Sequence, residues 1–497
     1  MSAWSSACIR PTALRTWTRS RPCGTNRPWG GRSDRNRIVR PRLASHPRPE
    51  LLDVIHRAFV VCSLLSLSLT AALGTRPASA DWPQWRGPGG QGHAAARDLP
   101  ETWSESENVR WRTEIHGRGW SSPVIEGNMI WVTTAIAAEA PESDREKRLT
   151  GNTNPQPLHV ADRVSLRAIG IERETGKRLH DVELLDVAKP QPIHTLNSYA
   201  SPTPILSDGK LYCHFGTNGT ACYDTRENRI EWTNQTLRIA HENGPGSSPV
   251  LWRNLLIIPC DGSDEQYIAA LDARTGKLAW KTPRSGTMDE NPQLKKAYGT
   301  PLIVELDGRE LVLSSAANWV YAYEPETGAE VWKVAYGVLG FSIVARPVVD
   351  DGMLYVSTCF MRPELLAIRL KGPNGPEIAW KSERQVPQMP SPLLVDGLLY
   401  LVNDKGIATC LDAKTGDVVW SDRLGGNFSS SPMFADGRIY VANREGTTFV
   451  LAPGKEFRLL ARNTLDGEIF ATPAALDGEL YYRTDKALYR LGGSRPN

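Results

Sequence analysis

A small residue followed by proline recurs eight times along the second part of this chain, and that repeat constrains the fold more than any other feature. The copies are Ser122-Pro123, Ser201-Pro202, Ser248-Pro249, Thr300-Pro301, Arg346-Pro347, Ser391-Pro392, Ser431-Pro432 and Thr472-Pro473, one of them carrying Arg in place of the small residue. Successive prolines lie 79, 47, 52, 46, 45, 40 and 41 residues apart. All but the first interval match the length of one four-stranded propeller blade. The long first interval holds a polar stretch, Ala138 to Asp162, which reads as an inserted loop.

Each unit has the same internal order. After the proline comes a short apolar strand, then a turn such as Asp436-Gly437, then an alternating strand such as Arg438 to Ala442. A third strand leads into a Thr-Gly turn and a fourth strand with an aromatic residue. Leu271-Asp272-Ala273-Arg274-Thr275-Gly276-Lys277-Leu278-Ala279-Trp280 is repeated nearly letter for letter at Leu411 to Trp420 and again, around Glu326-Thr327-Gly328, at Tyr323 to Trp332. Weaker copies run from Ile171 to Leu179, with Leu at the Trp place, and from Tyr223 to Trp232. Glycine supplies the positive φ of the tight turn, and the tryptophan is expected to pack on the neighbouring blade. The final unit has only three strands before the chain ends, so Val109 to Thr113, which carries Trp111 and no opening proline, is expected to complete it. The expected fold is therefore all-β: an eight-bladed propeller of four-stranded antiparallel blades, closed by pairing its N- and C-terminal strands.

The Leu-Asp-Ala-x-Thr-Gly-x-x-x-Trp element behind Ser-Pro openings resembles the repeat of the pyrroloquinoline-quinone (PQQ)-like propellers, a family that includes quinoprotein dehydrogenases and the BamB-type lipoproteins. The segment Asp81-Trp82-Pro83-Gln84-Trp85-Arg86-Gly87-Pro88 is similar to the leader of secreted PQQ-like propellers of planctomycete-type bacteria. The resemblance covers about residues 81 to 493. In the dehydrogenases it implies vicinal cysteines beside the quinone, a calcium held by Glu, Asn and Asp, and an Asp base. This chain has no adjacent cysteine pair. A non-catalytic scaffold that binds an envelope protein or a small ligand is therefore expected, with no confident cofactor. A PQQ-dependent dehydrogenase oxidising alcohols or sugars, with PQQ and calcium, is the alternative.

The overall charge of +3 averages two different objects. Residues 1 to 80 hold 13 Arg, no Lys and three acids, a net of +10, which leaves −7 for the rest. Residues 1 to 50 lack apolar periodicity and read as an extension outside the folded protein. Within residues 51 to 80, Arg57, an apolar run from Ala58 to Leu73 and Ala78-Ser79-Ala80 form the pattern of a cleaved export signal. Residues 81 to 104 are then a leader and 105 to 493 the propeller. An exported, periplasmic or secreted monomer with neither a nucleic-acid partner nor an integral membrane segment is expected. The five cysteines after residue 80 are an odd, scattered set, with Cys213 and Cys222 placed to face each other across a hairpin or to remain buried thiols.

Candidate binding residues come from the segments that enter the innermost strands, because these converge on one mouth of the channel. Three positions before the opening prolines stand Trp120, Tyr199, Tyr298 and Phe470, with His194 and His241 nearby. They are expected either to form an aromatic funnel that binds a ligand or to plug the channel as packing. No catalytic or metal-binding set is expected. Asp261-Gly262-Ser263-Asp264-Glu265 reads as a solvated acidic turn. Gly87 to Gly92 fits G-x-G-x-x-G without a strand before it or a helix after it, and reads as flexible leader. The export reading predicts that intact-mass analysis of the protein recovered from the envelope or medium finds Asp81 at its N-terminus. Recovery of an exported chain that retains residues 1 to 80 would refute it.

Overall fold

Because each inner strand is only three to five residues long, it must find its partners around the ring as well as within its own blade. The computed structural model describes residues 81–150, 154, 156–337, 342–360, 362–373 and 375–492, and the expected extension and export signal lie outside them. Those residues form eight antiparallel blades arranged as a propeller. Blade 1 spans 124–188, blade 2 205–234, blade 3 250–283, blade 4 302–335, blade 5 348–382, blade 6 393–423 and blade 7 433–464. Blade 8 takes three strands from 474–492 and its outermost strand from Val109–Glu114, which pairs antiparallel with Ala487–Gly492. Closure by the two ends of the ring is thus as expected.

The blades dock through the tryptophans. The indole nitrogens of Trp232, Trp280, Trp380 and Trp420 donate to carbonyls of the next blade, at Ala273, Pro325, Ala413 and Gly454. Trp111 does the same across the closing seam, to Arg173 of blade 1. The rings of Trp232, Trp280, Trp380 and Trp111 each lie on the turn glycine of the neighbour, whereas Trp420 packs edge-on against Phe457. A Cβ added at Gly276 would come within 2.4 Å of Trp232, and one at Gly176 within 2.6 Å of Trp111. The turn therefore needs glycine for the contact as well as for its φ near +70°. In blade 1 the residue paired like these tryptophans is His180, opposite Gly170, and not Leu179, which is exposed.

A second ring of bonds runs around the channel through the residues before the prolines. The Ser122 amide donates to the Thr203 hydroxyl, Thr203 to Ser248, and Ser248 to Thr300. The series resumes from Arg346 to Ser391, Ser391 to Ser431, Ser431 to Thr472, and Thr472 back to Ser122. The small residue before each proline is thus a hydroxyl acceptor for the preceding blade. This register corrects the sequence reading of blade 2: its opening is Thr203-Pro204, directly before the strand Ile205–Ser207. Ser201-Pro202 is a near copy two residues too early.

The leader is ordered, contrary to the expectation for its glycine run. Trp82 bridges to Ile125 of blade 1, while the Gln91 side chain accepts from the Val349 amide of blade 5, on the opposite side of the ring. Pro83 accepts from Leu206 of blade 2, and Arg86 donates to the Pro392 carbonyl at the opening of blade 6. The leader therefore crosses the channel like an axle. It then pairs His93–Ala94 in parallel with the inner strand of blade 7 and packs Trp103 on Tyr440 and Tyr482 before entering blade 8.

The stretch 138–162 is only partly loop. The two central strands of blade 1 extend to Met129–Glu139 and Ala161–Glu172, with a helix, Glu142–Leu149, between them. All five cysteines in the described residues are buried free thiols, and Cys213 faces Ala221 while Cys222 faces Tyr212, so the pair is out of register for a disulfide.

Thr472 lies at the junction of ring and axle, since its hydroxyl also receives the Trp85 indole N–H at 3.3 Å. Thr472→Val keeps the shape and removes the acceptor, so it should cost about 1–3 kcal/mol in chemical denaturation. Ser106→Ala, at an exposed position, should be near neutral; an equal loss in both would refute the role of the ring.

Candidate functional site

The converging entry segments enclose a cavity of about 640 Å³ at one mouth of the channel. With blade 2 in its corrected register, the residues three positions before the prolines are Trp120, Ser201, Gly246, Tyr298, Val344, Met389, Ser429 and Phe470. All eight line the cavity. Hydroxyl-ring residues, among them Ser122 and Thr472, lie on its wall, and Trp85 of the leader lines it too. The axle therefore makes the funnel blind. Nothing in the sequence of the leader pointed to Trp85, because its place in the channel depends on contacts with distant blades.

Four of the six sequence candidates meet here: Trp120, His194, Tyr298 and Phe470. Trp120 stacks on Phe470 with ring centroids 4.2 Å apart, and its indole donates to the Leu196 carbonyl. The guanidiniums of Arg118 and Arg444 each lie 5.2 Å from a ring of this stack, one over Trp120 and the other over Phe470. Tyr298 is almost fully buried and donates to the His241 carbonyl at 2.6 Å. Burial raises its pKa, so the hydroxyl stays protonated. His194 accepts the Leu196 amide through Nδ1, and its pKa is lowered by burial and then by Arg444 and Arg118.

Tyr199 and His241 do not reach this cavity. Tyr199 is displaced by the two-residue offset of the blade 2 opening and is buried, donating to the Gln191 carbonyl; burial raises its pKa to about 12. His241 lies in the wall between blades 2 and 3, where Nε2 accepts the Thr217 amide at 3.2 Å. The close approach of Gly216 leaves it no freedom, since a Cβ there would come within 2.0 Å of the imidazole.

Seven carboxamides stand in the polar wall beside eight Ser and Thr hydroxyls. Asn154, Gln156, Asn197, Asn243, Asn291, Gln293 and Gln388 all line the cavity. Asn154 Nδ2 donates to Asn243 Oδ1 at 2.8 Å, and Asn197 Nδ2 donates to the Asn243 carbonyl at 2.8 Å. Gln293 bridges Glu242, which accepts its Nε2, and Lys296, which donates to its Oε1. Lys296 is the lining residue that carries a full charge, and burial lowers its pKa. No Asp or Glu is among the lining residues described. The described residues also contain no cluster of three His, Cys, Asp or Glu side chains suited to a metal ion. A calcium–quinone pair needs carboxylate oxygens around a hard cation, so this wall does not fit it. In the acidic turn Asp264 and Glu265 are exposed, but Asp261 is buried and bound by Nε and Nη2 of Arg284, at 2.9 and 2.8 Å. That corrects the reading of Asp261 as solvated.

His241 and His214 belong to one buried wall and share a pH liability. Burial lowers their pKa values to about 4 and about 3, with each other's charge adding to the effect on His214. Both are neutral in the folded protein, while the unfolded chain takes up protons at the ordinary value near 6.5. Their contribution is complete above pH 6.5 and is lost as pH falls towards 4, by on the order of several kcal/mol for the two together. Denaturation midpoints should fall across that window, and less steeply in His241→Gln. An unchanged slope in the variant would refute the assignment.

A family model described as outer membrane protein assembly factor BamB matches residues 264–390 and 368–469. BamB of Burkholderia pseudomallei is 35% identical over 95 residues, which is 19% of this chain and 24% of the relative. The quinohemoprotein alcohol dehydrogenase ADH-IIG of Pseudomonas putida is 26% identical over 145 residues, 26% of this chain and 19% of the relative. The chain thus spans about a quarter and a fifth of these curated relatives. Among solved structures, a europium-containing methanol dehydrogenase superposes with a TM-score of 0.57 at 10% identity, covering 84% of this chain and 98% of that one, a likeness of fold alone. With the recurrent docking element and the eight-bladed ring, these matches show a chain similar to the PQQ-like, BamB-type β-propellers in its repeat over residues 264–469 and in its fold.

Proposed function

We propose that this protein is an exported, non-catalytic PQQ-like propeller that serves as a monomeric binding scaffold in the cell envelope, taking its ligand in the blind funnel. The observation that carries this reading is the chemistry of the wall, where carboxamides and hydroxyls alternate with aromatic faces and no carboxylate is present among the described residues. Such a surface exchanges hydrogen bonds with neutral donors and acceptors and stacks on flat apolar faces. A cavity of about 640 Å³ is in the size range of small-molecule sites. The ligand is accordingly a neutral, hydroxyl- or amide-rich group, a short sugar or a peptide segment of an envelope protein. The match to BamB supports the scaffold reading. The net charge of −7 after residue 80 provides no field for a nucleic-acid partner.

Trp120→Ala opens the stack at the rim and should weaken binding of oligosaccharide or peptide probes about tenfold or more while leaving the melting temperature within a degree or two. Tyr298→Ala should instead cost about 3 kcal/mol of stability, because its ring is buried. Calorimetry against a panel of envelope sugars and peptides checks the first and thermal melting the second. Dye-linked oxidation of an alcohol or sugar on addition of PQQ and Ca²⁺ would overturn the non-catalytic reading in favour of a dehydrogenase.

A further inference from the structure

Three of the six buried arginines among the described residues are paired with acids. Arg284 is held by Asp261, and Arg490 and Arg173 share Glu479. Arg483 is held by the carbonyl and hydroxyl of Ser121 without an acid, and the two at the axle lack one as well. Arg86 and Arg346 are each fully buried, and among the described residues neither has a carboxylate within ion-pair distance. Arg86 Nη2 donates to the Gln91 and Pro392 carbonyls at 3.0 and 2.7 Å, but its Nε and Nη1 have no hydrogen-bond partner among the described residues. Arg346 donates from Nε to the Pro301 carbonyl and from Nη1 to the Trp85 carbonyl, at 2.9 and 3.0 Å. Carbonyl dipoles alone thus face two full positive charges that repel each other. Burial, and for Arg86 the neighbouring Arg346 charge, lowers each pKa to about 9.

Arg346 is also where the repeat breaks its own rule. Seven units place Ser or Thr before the proline, and only here does the chain insert a guanidinium into the hydroxyl ring. The leader is shaped to receive it: a Cβ at Gly90 would come within 2.3 Å of Arg346 Nη1, and one at Gly92 within 2.8 Å of Arg86 Nη2. The glycine run that fits no phosphate-binding context thus packs its bare backbone against both cations.

We propose that Arg86 and Arg346 together hold a small inorganic anion, chloride being the type, at the centre of the ring beneath the funnel. An anion there supplies the charge that the protein provides by carboxylates at Arg173, Arg284 and Arg490. It is monatomic because glycine backbone crowds both guanidiniums. Trp85 lines the funnel and neither arginine does, so the site is separate from the ligand cavity and does not rest on the proposed function.

Two measurements on the mature protein test this. Melting temperature is followed from about 1 to about 300 mM chloride at constant ionic strength, with gluconate as the balancing anion. It should rise with the logarithm of chloride concentration. Arg346→Ser, which restores the hydroxyl of the other units, should abolish that slope. Crystals grown in bromide should show an anomalous peak within hydrogen-bond distance of both guanidiniums. Equal chloride slopes in the two proteins would overturn the proposal, as would a water in place of the peak. A bromide peak without chloride dependence of melting would mean binding at crystal concentration only and would overturn it as well.

Discussion

The seven hydrogen bonds from backbone amides to Ser and Thr hydroxyls around the channel are the constraint on which the rest of the molecule depends. The innermost strands are short, and among the described residues only that of blade 7 has a neighbouring strand on the channel side, supplied by the leader. A hydroxyl two residues before seven of these strands accepts an amide of the preceding blade, beside a proline that has no N–H of its own to donate. At about 1 kcal/mol apiece, such bonds are modest in energy. Their effect is geometric, because they set the blade spacing at the axis and align eight entry segments so that equivalent residues face one cavity.

The outer part of each blade is held by a different device. An indole laid on a glycine of the next blade buries a large apolar face, and its N–H is satisfied by a carbonyl of the same neighbour. Because the contact lies between blades, the last one has to be supplied by joining the two ends of the ring. Trp111 makes it against Arg173 and Gly176, so the closing strand is bonded to blade 8 by its backbone and to blade 1 by its side chain. The same junction carries Arg173, Arg490 and Glu479, a buried charged group that crosses the seam.

Features repeated in register were legible in the sequence, and features made by a single contact across the ring were not. Ser-Pro openings and Thr-Gly-Trp elements recur because every blade solves the same packing problem, so blade number, closure and most funnel residues could be read from spacing. Blade 2 misled by one dipeptide: Ser201-Pro202 and Thr203-Pro204 are equivalent by composition, and only the bonds of Thr203 to Ser122 and Ser248 distinguish them. Tyr199 was misplaced for that reason alone. The leader was missed on other grounds. Its glycines lack the periodicity of any element, and they are small because Trp82, Arg86 and Arg346 press against them. Asp261 looked solvated because its partner, Arg284, is 23 residues away.

Closure also determines where the funnel can respond to a ligand. The stacked pair at the rim joins Trp120, on the way into blade 1, to Phe470, on the way into blade 8. These are the two blades brought together by the terminal strand, and the bond from Thr472 to Ser122 lies immediately below. The chain runs on from that terminal strand through Trp120 into blade 1, and its break lies inside blade 8, so a flat group that extends the stack would add attraction beside the one blade built from both ends of the ring. Binding there must then favour the closed ring over any opened form by the same free energy that the closed ring lends to binding. The floor obeys the same logic, since Trp85 reaches the cavity only after the leader has been enclosed by blades on opposite sides of the channel. The cavity is therefore a product of the finished ring, with no single blade able to present it.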